Sequence, residues 1–199
     1  FKIDLKSLDL ILKKNIRVIF LPNPNQPIEN YYSPKKLDKL AKKCARNKCI
    51  LFVDEAYFHF GSQTAVGLIK KYNNVIIART FSKGFGVPSI RLGYLISNKN
   101  LIKFLSANRL AHETNTLSVK VADFLLDNLK LVKKYNQEVI RSREFVKKEL
   151  KKIKISSDGR YGNYLLIDMK DKLKNKKVVN FLKRNKIYVK GPWREPYEN

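Results

Sequence analysis

Lys83 sits in the run Thr80-Phe81-Ser82-Lys83-Gly84-Phe85-Gly86, and Arg91 follows eight positions later. About thirty residues upstream lies Val53-Asp54-Glu55-Ala56-Tyr57, an apolar run that ends in a carboxylate. A primary amine among small and hydroxyl residues can condense with an aldehyde to an imine and can carry a proton. An arginine can hold a phosphate through its fork of N–H donors. A carboxylate held close to a ring nitrogen keeps that nitrogen protonated, because an opposite charge favours the charged form. These are the parts that a pyridoxal phosphate site needs, with the protein supplying position and electrostatics and the cofactor the hard chemistry.

Each part has a plainer reading. Asp54 could be a turn carboxylate or a helix cap. Tyr57 could be a core aromatic with its hydroxyl satisfied locally. A lysine in a Gly/Ser loop could be a solvated turn. As a set they fit the cofactor. Asp54 suits the pyridine nitrogen and Tyr57, three residues on, the ring's phenolic oxygen. Thr80, Ser82 and Arg91 suit the phosphate, while Gly84 and Gly86 let the chain turn tightly around Lys83.

The elements that must position these groups can be read from hydrophobic pattern. Residues 5–14 have an amphipathic helical pattern. Arg17 to Leu21 is a buried strand that runs into the rigid turn Pro22-Asn23-Pro24-Asn25-Gln26-Pro27. Ser33-Pro34 starts a helix that reaches about Arg46, with the Ser33 side chain available to cap it. Cys49 to Val53 is the second strand, Ala65 to Lys71 a short helical piece, Val75 to Ala78 the third strand and Arg91 to Ile96 the fourth. Strands alternating with helices imply an α/β fold with a three-layer, mostly parallel sheet covered on both faces. Ligands gather at the carboxyl ends of such strands. The turn after Leu21, Asp54 with Tyr57, and Thr80 to Lys83 all fall just beyond strand ends. From Leu101 to about Ile153 the pattern is helical, and the stripe Leu117, Val121, Phe124, Leu125, Leu129 and Val132 is read as packing between elements. Asn163 to Asp168 and Ile187 to Val189 are expected strands, with a helix over Val178 to Arg184. The expected division is a large domain over 1–135 and part of a small α+β domain over 136–199.

Composition narrows the function classes. With 44% hydrophobic residues the chain can bury a core. It has no apolar run long enough for a membrane span, and no signal peptide is expected. The formal charge of +25 raises nucleic-acid binding as a possibility. However, lysines such as Lys35, Lys36, Lys39, Lys42 and Lys43 lie on an ordinary helix surface rather than in a patch interleaved with aromatics. The charge favours an anionic cofactor or substrate instead. Two cysteines, Cys44 and Cys49, make no disulfide framework, no Cys/His cluster has zinc spacing, and a reducing cytoplasm is expected.

The stretch from Arg17 to Ser97 resembles the class I/II aminotransferases of the aspartate aminotransferase fold, and most of all their histidinol-phosphate aminotransferase branch. That branch carries an Asn-Pro-Asn-Asn-Pro-Thr-Gly turn, a Val-Asp-Glu-Ala-Tyr strand end and an Arg-Thr-x-Ser-Lys-x-Phe-Gly segment with Leu-Arg-x-Gly beyond. Here the corresponding residues are Asn23 to Pro27, Val53 to Tyr57, Arg79 to Gly86 and Ile90 to Tyr94. Asn115 to Ala122 and Gly162 to Asp168 look like later family segments. The resemblance implies the fold type I architecture with pyridoxal 5'-phosphate as cofactor. It implies Lys83 as imine lysine and general base, Asp54 on the pyridine nitrogen, Tyr57 on the phenolic oxygen, and Thr80, Ser82 and Arg91 on the phosphate. It also implies an amino acid or amine donor, phosphorylated or otherwise anionic, a 2-oxo acid acceptor and a homodimer, with no nucleic acid and no membrane. Where the family has a second Asn contacting the phenolic oxygen, this chain has Gln26 beside Asn25. Where the family has Thr-Gly, it has Ile28-Glu29. Gln can donate the same amide hydrogen bond from a longer arm.

Family members carry a further N-terminal stretch and a C-terminal arginine that grips substrate, and Arg194 does not match that arginine's motif. The chain therefore reads as a piece of a longer protein. A decarboxylase or other lyase on the same scaffold is the alternative reaction, since the same residues serve both. Further alternatives are a basic nucleic-acid-binding domain and an inert domain that keeps the fold.

Overall fold

The computed structural model describes residues 5–12, 15–110 and 113–191. Residues 13 and 14, at the end of the first expected helix, and Arg194 lie outside them. Helix α1 (Leu5–Leu12) precedes strand β1 (Val18–Pro22), helix α2 (Pro34–Arg46), strand β2 (Ile50–Asp54), strand β3 (Val75–Thr80) and strand β4 (Gly93–Ile96). The sheet order is β1-β2-β3-β4. The first three strands are parallel, with Pro22 opposite Asp54 and Asp54 opposite Ala78. Their carboxyl ends thus share one edge, which sets the first requirement for the site.

Helix α2 is amphipathic for a simple reason. Leu37, Leu40, Ala41 and Cys44 recur at helical spacing and are buried. Lys35, Lys36, Lys39 and Lys42 face solvent. Its buried stripe packs with Leu21, Leu51, Val53, Val75 and Ile77 on one face of the sheet, the main core. The opposite face holds buried Ile76, yet leaves Phe20 at 69% and Leu95 at 41% exposure, so among the described residues its cover is partial. Phe20 rests on Phe52 there, with ring centroids 4.7 Å apart.

The sheet is mostly parallel, as the sequence implies, with β4 antiparallel to β3. Only a loop and one 3-10 turn (Pro88–Ile90) join the two strands, too little chain for a helical crossover. Arg91 and Leu92 precede β4 rather than opening it, and Arg91 has a left-handed backbone with φ 50°. Ser33 does not cap α2 with its side chain. Its carbonyl accepts from the amides of Lys36 and Leu37 at 2.9 and 3.0 Å. The piece near residues 65–71 is a 3-10 helix, Val66–Lys70.

Beyond the sheet lie α3 (Lys99–Ala107), α4 (Thr116–Asp127) and α5 (Leu129–Lys152). Asn98 and Asn115 cap α3 and α4 with side-chain oxygens. The apolar stripe read as packing is only partly so. Ala122 and Val132 are buried against Phe81 and Phe85. Leu117, Phe124 and Leu129 stay 73%, 57% and 45% exposed. The expected domain division at 135/136 falls inside α5, which runs unbroken through it. A two-stranded antiparallel hairpin of β5 (Ser156–Asp158) and β6 (Leu166–Asp168), then α6 (Lys172–Arg184), complete the described chain. The expected strand from Asn163 is thus confined to its last three residues, and Ile187 to Val189 form no strand. Tyr188 is 79% exposed there, so no sheet neighbour covers the segment among the described residues. No helix among the described residues is long and apolar enough to cross a membrane.

Candidate active site

Three loops meet at the carboxyl edge of the parallel strands. The first is the turn after β1. Asn23, only 1% exposed, fixes it. Its amide N–H donates to the Asp54 carbonyl at 2.8 Å. Its side chain donates to the Tyr32 carbonyl at 3.0 Å and accepts from the Tyr32 amide at 2.7 Å. A buried side chain with both ends satisfied locks the turn against β2. It was legible in the sequence only as part of a Pro-rich turn and of the family motif, with no role assigned.

The second loop follows β2. The Asp54 carboxylate accepts from the Ala56 amide through Oδ1 at 2.9 Å, and its other oxygen has no protein partner among the described residues. Tyr57 is buried and donates its hydroxyl proton to Gln26 Oε1 at 2.5 Å. Burial pushes the Tyr57 hydroxyl pKa up, and the Asp54 charge adds to the shift, so the hydroxyl keeps its proton. Gln26 therefore reaches Tyr57, the other residue that the resemblance assigns to the phenolic oxygen. With its oxygen occupied, its amide nitrogen remains as the donor.

The third loop follows β3 and carries Lys83. The Lys83 ammonium nitrogen stands 5.6 Å from the centroid of the Tyr57 ring. The amine thus faces the tyrosine whose hydroxyl feels the Asp54 charge. The Thr80 hydroxyl accepts from the Ser82 amide at 3.0 Å and donates to the Leu92 carbonyl at 3.4 Å. The Ser82 hydroxyl has no partner among the described residues. Arg91 is exposed and donates to the Pro88 carbonyl at 2.9 Å, with no carboxylate neutralising its charge among the described residues. Asn25 does not join the cluster through its side chain. Its amide donates to the Ile28 carbonyl at 3.3 Å within the turn, and its carbonyl accepts from the Tyr164 hydroxyl.

Residues without a role in the sequence reading complete the framework. Glu55, 1% exposed, accepts from Arg79 at 2.9 Å, from the Ala65 amide at 2.5 Å and from the Thr64 hydroxyl. Arg79 also stacks over Phe58 at 4.0 Å. This buried pair straps the chain after β2 to β3 just below the site. Its signal was an arginine and a glutamate next to apolar strands, where only a paired charge is tolerable. Glu29, in the position where the family turn has glycine, accepts from the amides of Arg160 and Tyr161 at 2.9 and 2.7 Å. The altered turn is thereby tied to the loop of the C-terminal hairpin. Tyr164 meets Tyr57 edge-on at 5.2 Å. A cavity of about 570 Å³ opens beside Gln26 and Tyr164, lined by Leu165, Ile167, Val179 and Leu182.

A flat ring with a cationic nitrogen, an aldehyde and a phosphate suits these groups. Asp54 has a free carboxylate oxygen, Lys83 faces Tyr57, and Ser82 and Arg91 keep donors for an anion. No group of His, Cys, Asp and Glu among the described residues could hold a metal ion.

The α/β architecture is that of the fold type I pyridoxal phosphate enzymes. A solved histidinol-phosphate aminotransferase from Sinorhizobium meliloti, in complex with pyridoxal-5'-phosphate, superposes with a TM-score of 0.85 over 98% of this chain and 54% of its own, at 22% identity. A decarboxylase from Sulfurospirillum multivorans superposes with a TM-score of 0.80 over 96% of this chain and 57% of its own, at 23% identity. In sequence, a histidinol-phosphate aminotransferase of Thermotoga neapolitana is 32% identical over 174 residues, covering 87% of this chain and 50% of that protein. Residues 1–197 match the model of the family described as aminotransferase class I and II. The chain belongs to that family. It spans about half the length of the relatives it matches.

Proposed function

We propose that the protein of which this chain is part is an aminotransferase that moves an amino group between an amino acid or amine, phosphorylated or otherwise anionic, and a 2-oxo acid. Its cofactor is pyridoxal 5'-phosphate. The observation that carries the reading is the Lys83 amine facing the Tyr57 ring, with the Tyr57 hydroxyl under the influence of Asp54. When bound, the cofactor supplies an aldehyde for amines and a ring that takes up electrons.

The chain's residues do the rest. Lys83 would hold the cofactor through its amine and would carry a proton to and from the substrate α-carbon. The free oxygen of Asp54 holds the ring N–H, a charge-assisted bond worth about 1.5–3 kcal/mol. Because the Tyr57 proton goes to Gln26 Oε1, the Gln26 amide is the donor left for the phenolic oxygen, and Tyr57 orients it. Ser82, Thr80 and Arg91 take the phosphate, Arg91 by a fork of donors and the hydroxyls by single bonds. Asn25 shapes the turn through its own backbone and side chain. The donor's anionic group is supported by the charge of +25 and by the name of the Thermotoga relative. The reading carries with it a homodimer in the cytoplasm, for which exposed Leu117, Phe124 and Leu129 offer an apolar face.

The test is an absorbance spectrum of the purified full-length protein. A cofactor band that borohydride bleaches is expected, with the label then on the Lys83 peptide. Lys83→Ala should lose both, and a wild-type protein without the band would overturn the proposal. Decarboxylation is the second reading, supported by the fold shared with a decarboxylase. Carbon dioxide release without any need for an oxo acid would favour it over amine transfer.

A further inference from the structure

Gly84, next to Lys83, is held from two sides by side chains to which the reading above gives no part. From helix α5, Asn136 donates its side-chain amide to the Gly84 carbonyl at 2.9 Å. The same nitrogen donates to the Val132 carbonyl at 2.7 Å, one turn back on its own helix. Both amide protons are thus committed, one fixing the rotamer and one reaching across to the lysine loop. Asn136 is 6% exposed, so water does not compete for the bond. On the other side, Gly84 lies flat against His59. A Cβ at this position would come within 2.4 Å of the His59 Cβ, so the loop fits only with glycine here. Tyr135, beside Asn136, places its ring where a Cβ on Gly86 would meet it at 3.4 Å.

Two buried polar atoms belong to the side chains that grip Gly84 and have no partner among the described residues: Asn136 Oδ1 and His59 Nε2. Leaving such a group unpaired costs stability. A hydrophobic residue at position 136 would fill the same space without that cost. What the asparagine adds is the N–H that fixes the Gly84 carbonyl, and with it the peptide that leads out of Lys83.

We propose that Asn136 is a positioning residue for the Lys83 amine. Its bond to Gly84 sets the height and direction of the lysine above Tyr57, and His59 is the wall against which the loop is pressed. The proposal rests on Lys83 being the residue that bears the cofactor. It concerns geometry, and a displacement of about 1 Å at a reacting group can cost up to a hundredfold in rate.

The experiment uses the full-length protein as wild type, Asn136→Leu and Asn136→Ser, each checked for folding by circular dichroism, with His59→Phe as a variant that keeps the wall. Two quantities are read. The first is the pH profile of Lys83 acylation in cofactor-free protein, measured by peptide mass against Lys71 as internal reference. The second is the rate at which added pyridoxal 5'-phosphate becomes fixed to Lys83 under borohydride. In the folded Asn136 variants the Lys83 profile should shift while that of Lys71 stays, and attachment should slow by about tenfold or more. His59→Phe should leave both near wild type. A folded Asn136 variant that matches wild type on both readouts overturns the proposal. So does one in which Lys83 and Lys71 change together, since that reports loosened structure alone. Failure of the wild-type protein to fix the cofactor at Lys83 sinks instead the functional reading on which the proposal rests.

Discussion

At the level of single residues, His59 shows how environment sets chemistry. Burial pushes its pKa down, and the nearby Arg79 charge adds to the shift. The neutral ring is therefore the folded form. The unfolded chain binds a proton near the ordinary histidine value of about 6.5, while the folded protein resists until a lower pH. Between those two values the unfolded state holds more protons, so stability is lost as pH falls. Wild type should lose denaturant resistance below about pH 6.5 faster than His59→Phe, which has nothing to titrate. Parallel stability–pH curves for the two proteins would show that His59 is not buried in solution. Phenylalanine also removes the unpaired Nε2, so above pH 7 the variant should be as stable as wild type or more so.

At the level of elements, the strap between Glu55 and Arg79 is the contact most sensitive to change. Glu55→Ala leaves a largely buried guanidinium without its partner and should cost about 3–5 kcal/mol in urea unfolding. Replacing both, as Glu55→Leu with Arg79→Met, should cost clearly less than Glu55→Ala alone. Equal costs would mean that the pair is not coupled. Strands β1 to β3 were legible in the sequence because apolar runs have only one sensible burial, and helix α2 because Ser33-Pro34 marks a helix start. The motif residues at the three strand ends were legible for the same reason, since strand ends fix where the loops must lie. Strand β5 was not, because Ser156, Ser157 and Asp158 carry no apolar signal and pair only once β6 is beside them. Ile187 to Val189 has the right residues for a strand but no neighbour to pair with among the described residues. The bond from Asn136 to Gly84 spans 52 positions, and no local pattern announces such a contact.

For the whole molecule, the charge of +25 acts at a distance. Lysines spread over the surface create no single patch, yet they raise the local concentration of anions around the carboxyl edge. Association of pyridoxal 5'-phosphate with cofactor-free protein should therefore slow several-fold between about 20 and 200 mM salt, as the screening length shortens. A stopped-flow rate that ignores salt would assign the charge no role in capture. The exposed stripe on α4 raises a second whole-molecule expectation: in sedimentation the full-length protein should run at twice its chain mass, and a monomer would leave Leu117 and Phe124 without the proposed cover. Helix α5, finally, is one rod of 24 residues, about 36 Å long. Near its start Asn136 grips the lysine loop. Further along, Arg143 and Lys147 donate to the carbonyls of Gly162 and Gly159, on the hairpin loop that Glu29 also ties down. Hairpin and lysine loop hang from the same helix, so a tilt of that rod would move both.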